Sequence, residues 1–160
     1  VVAPYCYKCY IRNSGYDKNS DYREEVVLKF DKSFGGREKY KSVKYQKDIT
    51  TDCVIRSIAI ALDQDYKSTF HELLDVSRDT LEVPSDEKCY DKYLEEKGWV
   101  KKKPKRNARK RLLKVKQFPT DGVYLIHTSG HLTCVKDGVI KDVWNCSKSS
   151  AYSYYRKEVI

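Results

Sequence analysis

His131-Leu132-Thr133-Cys134-Val135-Lys136-Asp137-Gly138-Val139-Ile140-Lys141-Asp142-Val143-Trp144-Asn145 is the stretch that decides the fold. Two runs rich in β-favouring residues flank Asp137-Gly138, a dipeptide suited to the positive backbone angles of a two-residue hairpin turn. In that register Lys136 pairs with Val139, Thr133 with Asp142 and His131 with Trp144. Side chains alternate along a strand, so His131, Thr133, Asp142 and Trp144 share one face. Asp142 is then the diagonal neighbour of His131, about 7–8 Å away between backbones and within side-chain reach. A carboxylate there can hold one imidazole nitrogen and leave the other for a proton-transfer partner.

Upstream, Gly122 to His127 reads as a further strand. The pattern before it is helical. Thr51 or Asp52 can cap a helix in which Val54, Ile55, Ile58, Ala59, Ala61 and Leu62 recur at spacings of three and four, ending near Asp63. Ser68 is expected to cap a second helix over residues 69–77. Ser85 opens a third, running through Lys97, with Tyr90, Tyr93 and Leu94 as its buried stripe and Gly98 as its stop. Residues 1–50 are irregular and β-rich, with short strands expected at Glu25–Phe30 and Tyr40–Tyr45. The expectation is a single α+β domain over 1–160, with 1–50 as an N-terminal extension and 51–160 as the core. Its helical part, 52–98, packs on an antiparallel sheet built from 120–160, and the N-terminal strands either extend that sheet or form a small appendage.

The 160 residues carry 32 Lys+Arg against 23 Asp+Glu, a net charge of +9 that favours acidic partners and says nothing about fold. No run of ten apolar residues occurs, so neither a membrane span nor a secretory segment is expected. Of the six cysteines only Cys6 and Cys9 are closely spaced. That is half a zinc knuckle without its other half, so thiols in a reducing cytoplasm are expected, with no metal and no cofactor.

Cys53 falls in the first turn of the central helix. Free N–H groups and the positive end of the helix dipole favour a thiolate there, and an imidazolium favours it more. The adjacent Asp52 opposes ionisation unless its carboxylate is turned away. Cys53, His131 and Asp142 thus offer a nucleophile, a base and an orienter in that chain order.

The blocks Thr51-Asp52-Cys53-Val54-Ile55-Arg56-Ser57-Ile58-Ala59-Ile60-Ala61 and residues 129–147, from Ser129-Gly130-His131 to Asn145-Cys146-Ser147, resemble signature blocks of small phage and bacterial proteins. Those proteins in turn resemble the papain-like cysteine peptidase superfamily. The resemblance implies a papain-like fold, with Cys53 as nucleophile, His131 as base and Asp142 as orienter, and Asn145 as a weaker substitute. It also implies Gln46, seven residues before Cys53, as an oxyanion donor beside the Cys53 N–H. The activity implied is a cysteine hydrolase acting through an acyl-enzyme on a peptide, isopeptide or other amide. Transfer to an amine is an alternative on the same site. A phage origin would place the protein in the host cytoplasm.

Other residues carry weaker signals. His71 is expected at the surface, His127 in the core or at an edge, and Trp99 and Trp144 in packing, with Trp144 able to shield His131. The acid-free block Lys101–Arg111 reads as a solvated loop or edge, and equally as a footprint for nucleic acid or an acidic host protein. The rival to an enzyme is therefore a non-catalytic factor that binds through this block.

Overall fold

The computed structural model describes residues 27–41 and 51–158. Its elements are β1 (Lys29–Lys32), α1 (Cys53–Leu62), α2 (Tyr66–Thr80), α3 (Glu87–Glu96) and β2 (Trp99–Lys102). There follow β3 (Val123–Thr128), β4 (His131–Lys136), β5 (Val139–Asp142) and β6 (Ser153–Lys157). Among the described residues the strands form one sheet in the order β1-β5-β4-β3-β6-β2.

The β4–β5 hairpin has the expected register: Lys136 pairs with Val139 and Val135 with Ile140. Asp137 and Gly138 both take positive φ, 50° and 79°, the two left-handed residues that such a turn requires. A second tight turn, Ser129-Gly130, joins β3 to β4 and pairs Thr128 with His131. His131 is therefore the first residue of its strand, at one end of the sheet.

Alternation divides the core in two. Leu132 and Cys134 of β4 and Leu125 of β3 pack under the three helices, together with Ile58, Leu73, Tyr93 and Leu94. Val135, Ile140, Tyr124 and Ile126 face the other way. There they meet Val115, Phe118, Cys146 and Ala151, supplied by the segments flanking β3 and β6. Helix α1 is buried on nearly every side, as its dense apolar content requires. The Ser57 hydroxyl donates to the Leu132 carbonyl at 2.7 Å and pins the helix onto β4.

The sheet departs from expectation at both edges. It is mixed rather than purely antiparallel, because β1 pairs in parallel with β5, Phe30 beside Ile140. Of the strand expected at Glu25–Phe30, Glu25 and Val26 lie outside the described residues, Val27 and Leu28 precede the strand with Leu28 buried, and the strand itself runs over Lys29–Lys32. At the second expected strand, Tyr40 and Lys41 form a turn and a bend; its remainder lies outside the described residues, as do Cys6, Cys9 and Gln46. Of the two readings of the basic block, loop or edge, Lys101 and Lys102 take the second: they end β2, the edge strand antiparallel to β6. Carboxylates make that possible: Lys101 binds Glu87 and Asp91 of α3, and Lys102 lies 3.5 Å from Glu158.

The second and third helices begin with a different residue from the one expected. Asp65, not Ser68, accepts the N–H groups of Lys67 and Ser68. Asp86, not Ser85, accepts that of Lys88. A carboxylate and a hydroxyl serve equally well as caps, so neighbouring candidates are not separated by residue type.

The described N-terminal residues, 27–41, pack against the helices and the sheet. After β1 the chain turns at Gly35, whose φ is +64° and where a Cβ would sit 2.7 Å from the Arg56 carbonyl oxygen of α1. Gly98, the stop of α3, also has positive φ (+79°) but has open space around it. Gly98→Ala should cost about 1 kcal/mol and Gly35→Ala about 2 kcal/mol or more, from backbone strain plus the clash. Urea denaturation compares them, and equal losses would mean that the Gly35 turn does not seat on α1.

Candidate active site

Cys53 is the first residue of α1, Asp52 the residue before it and Arg56 one turn later. His131 opens β4, and Asp142 closes β5. The fold brings these five side chains to one end of the sheet. His131 Nε2 lies 2.6 Å from Asp142 Oδ2, leaving Nδ1 as the nitrogen for a second partner. Asp142 is 1% exposed, and its Oδ1 accepts from Arg56 Nη1 at 3.2 Å and from the Val143 N–H at 2.7 Å.

Arg56, also 1% exposed, is held from its other side by Asp52 Oδ1 at 2.9 Å from Nε. Asp52 Oδ2 accepts from the Tyr66 hydroxyl at 2.8 Å and lies 3.3 Å from Arg37 Nε. Although it occupies the N-cap position, Asp52 makes no side-chain capping bond, because its carboxylate is committed to these partners. The negative charge is thereby turned away from Cys53 and neutralised. The result is a buried series of alternating charge: Arg37, Asp52, Arg56, Asp142, His131 and then the thiol.

The ionisation of the pair follows from this surrounding. Burial opposes the Cys53 thiolate, yet contact with His131, the Leu132 N–H and the charges of His131 and Arg56 outweigh it and lower the thiol pKa. Burial likewise opposes the imidazolium. Asp142, Cys146 and Cys53 prevail, raising His131 from 6.5 to about 11. Burial works against the Asp142 carboxylate too, but His131, Thr133 and Val143 hold it below the usual carboxylate range. Both shifts act in the same direction, towards a thiolate facing an imidazolium.

Cys53 and His131 open onto one cleft of about 490 Å³, walled by Val54, Leu132, Gly130, Tyr90 and the start of α3 at Ser85–Glu87. Trp144, 40% exposed, lies against the imidazole with ring centroids 5.1 Å apart and the planes tilted by 40°.

Asn145 does not join the site; its amide oxygen accepts the Ser147 N–H, since the chain leaves the ladder after Asp142. His71 lies on the exposed part of α2, and His127 sits at the rim, 3.9 Å from Glu87. Arg37, Arg56 and Tyr66 were not legible as site residues, because the sequence does not say that a charged side chain is buried. Cys146 was also missed. Its sulfur lies 3.3 Å from Thr133 Oγ1 and 3.8 Å from Asp142 Oδ2. The clue available was parity, for Cys146 stands an even number of residues from Asp142 and Trp144 on the face of His131. His131, Asp142 and Cys146 place three potential metal-binding atoms within 4.8 Å. Both Asp142 oxygens are engaged, one by the Arg56 guanidinium, whose charge opposes a cation there.

No family model, curated protein or solved structure matches the chain. The chemistry of the site therefore stands on its geometry.

The electrostatics make a directional prediction. Alkylation of Cys53 by iodoacetamide, followed at that residue by peptide mass spectrometry, should rise with pH through a midpoint lower than that of an unperturbed thiol measured alongside. In His131→Ala the midpoint should move up, because the main group favouring the thiolate is gone while the burial that opposes it remains. An unchanged midpoint would separate the thiol from the imidazole.

Proposed function

We propose that the protein is a cysteine hydrolase of papain-like arrangement, attacking an amide or related acyl bond through an acyl-enzyme. The observation that carries this reading is the 2.6 Å His131–Asp142 bond, beside a helix-start cysteine whose thiol is made acidic by that same histidine. Cys53 attacks the carbonyl carbon as thiolate. His131 gives its proton to the leaving nitrogen, then takes one from the water that releases the acyl group. Asp142 holds the ring and stabilises its positive charge, as the third member of such a triad does.

The developing oxyanion needs donors. The N–H of Cys53, at the first position of α1, has no helical acceptor, and Asp52 does not cap it. Gln46 is the proposed second donor, and the open cleft beside the sulfur leaves room for an extended chain.

A thiol-directed activity probe and a panel of fluorogenic peptide amides test the proposal. Cys53→Ala should abolish both labelling and turnover, and Asp142→Asn should lower kcat by roughly 10²- to 10⁴-fold. Gln46→Ala should lower it on the order of 10²-fold if its amide meets the oxyanion. Turnover retained by Cys53→Ala, or equal probe labelling of that variant and the wild type, contradicts the assignment.

A further inference from the structure

The excess positive charge is concentrated in one place. Residues 97–120 contain eleven Lys and Arg and no Asp or Glu, so the rest of the chain carries a net charge of −2. Lys114 and Lys116 apart, the structure separates two groups within this segment. Lys97, Lys101 and Lys102 are paired with Glu72, with Glu87 and Asp91, and with Glu158. Lys103, Lys105, Arg106, Arg109, Lys110 and Arg111 are exposed, and among the described residues none of them meets a carboxylate. The binding footprint read from sequence as Lys101–Arg111 therefore loses its first two lysines.

The loop that carries these six charges is built rather than loose. Asn107 Oδ1 accepts the N–H groups of Arg109 at 3.0 Å and Arg111 at 2.9 Å. The Asn107 N–H donates to the Arg111 carbonyl at 3.0 Å. Arg106 Nη1 donates to the Lys110 carbonyl at 2.9 Å, closing the turn in which Lys110 takes a φ of +56°. Six like charges are thus held together against their mutual repulsion, and the backbone order that a ligand would need is set by folding rather than by binding.

We infer that this loop is a binding site for the phosphate backbone of a nucleic acid. Two features favour phosphodiester over an acidic protein surface. Protein interfaces depend on buried apolar and aromatic anchors. The exposed large apolar side chains of the described residues are Val27, Phe30, Tyr40, Phe70, Leu81, Val83, Trp144 and Tyr152, none within 97–120. Guanidinium and ammonium groups without interleaved acids suit an evenly charged polymer, which they bind through released counterions and without reading sequence. The site is independent of the cysteine chemistry.

Fluorescence anisotropy of the full chain with a labelled duplex of about 20 base pairs, scanned from about 50 to 200 mM salt, tests it; four neutralised phosphates predict an affinity loss of about 10²-fold across that range. Lys105→Glu/Arg109→Glu/Arg111→Glu should weaken binding at least about tenfold while leaving the alkylation profile of Cys53 unchanged. Lys29→Glu/Lys67→Glu/Lys88→Glu, which changes the net charge equally elsewhere, should leave most of the binding intact. If the loop triple variant fails to fold, the corresponding triple Gln variant takes its place, with the same expected loss of binding. No binding at low salt, equal loss in the two triple variants, or polyglutamate competing as well as DNA of equal charge would overturn the inference.

Discussion

A guanidinium with almost no access to water organises this end of the molecule. Arg56 can be buried only because Asp52 and Asp142 approach it from opposite sides. Removing one partner of such a buried set typically costs about 3–5 kcal/mol, since the others are left charged and dry. Those two carboxylates come from the residue before Cys53 and the residue that holds the imidazole. The demand for neutrality around Arg56 therefore fixes where Cys53 and His131 meet. Arg37 and Tyr66 complete the arrangement at its far end, so the N-terminal segment and α2 also bear on the site.

The same interaction removes a conflict within the sequence. An aspartate beside a nucleophilic cysteine should discourage the thiolate, and a helix start should use that aspartate as a cap. Neither happens, because Asp52 faces Arg56, Tyr66 and Arg37. The first-turn N–H groups are left without that cap, and the charge nearest the sulfur is supplied instead by His131, with Arg56 behind it.

Much of the core was legible because it rests on short-range chemistry. Asp137-Gly138 sets a hairpin, the hairpin sets a register, and the register places His131 and Asp142 on one face. The apolar spacing of residues 54–62 likewise marks a buried helix. What was not legible depends on contacts between distant segments. Nothing local tells that β1 lies parallel to β5, that Lys101 meets two acids of α3, or that Arg56 is buried. The helix starts at Asp65 and Asp86 differ from expectation for a smaller reason, the near equality of serine and aspartate as caps.

The molecule thus separates its charges into two regimes. At the cleft they alternate and are buried, which tunes two ionisations. On the loop over 103–111 they are alike, exposed and held in place by backbone bonds to Asn107 and Arg106.

The central claim, that the buried series keeps His131 charged opposite an acidic thiol, is tested most directly by the ¹⁵N resonances of its imidazole in a pH titration. The account predicts that both ring nitrogens of His131 remain protonated well beyond the ordinary histidine range, towards about pH 11. A His131 ring that is already neutral at pH 8 would contradict it.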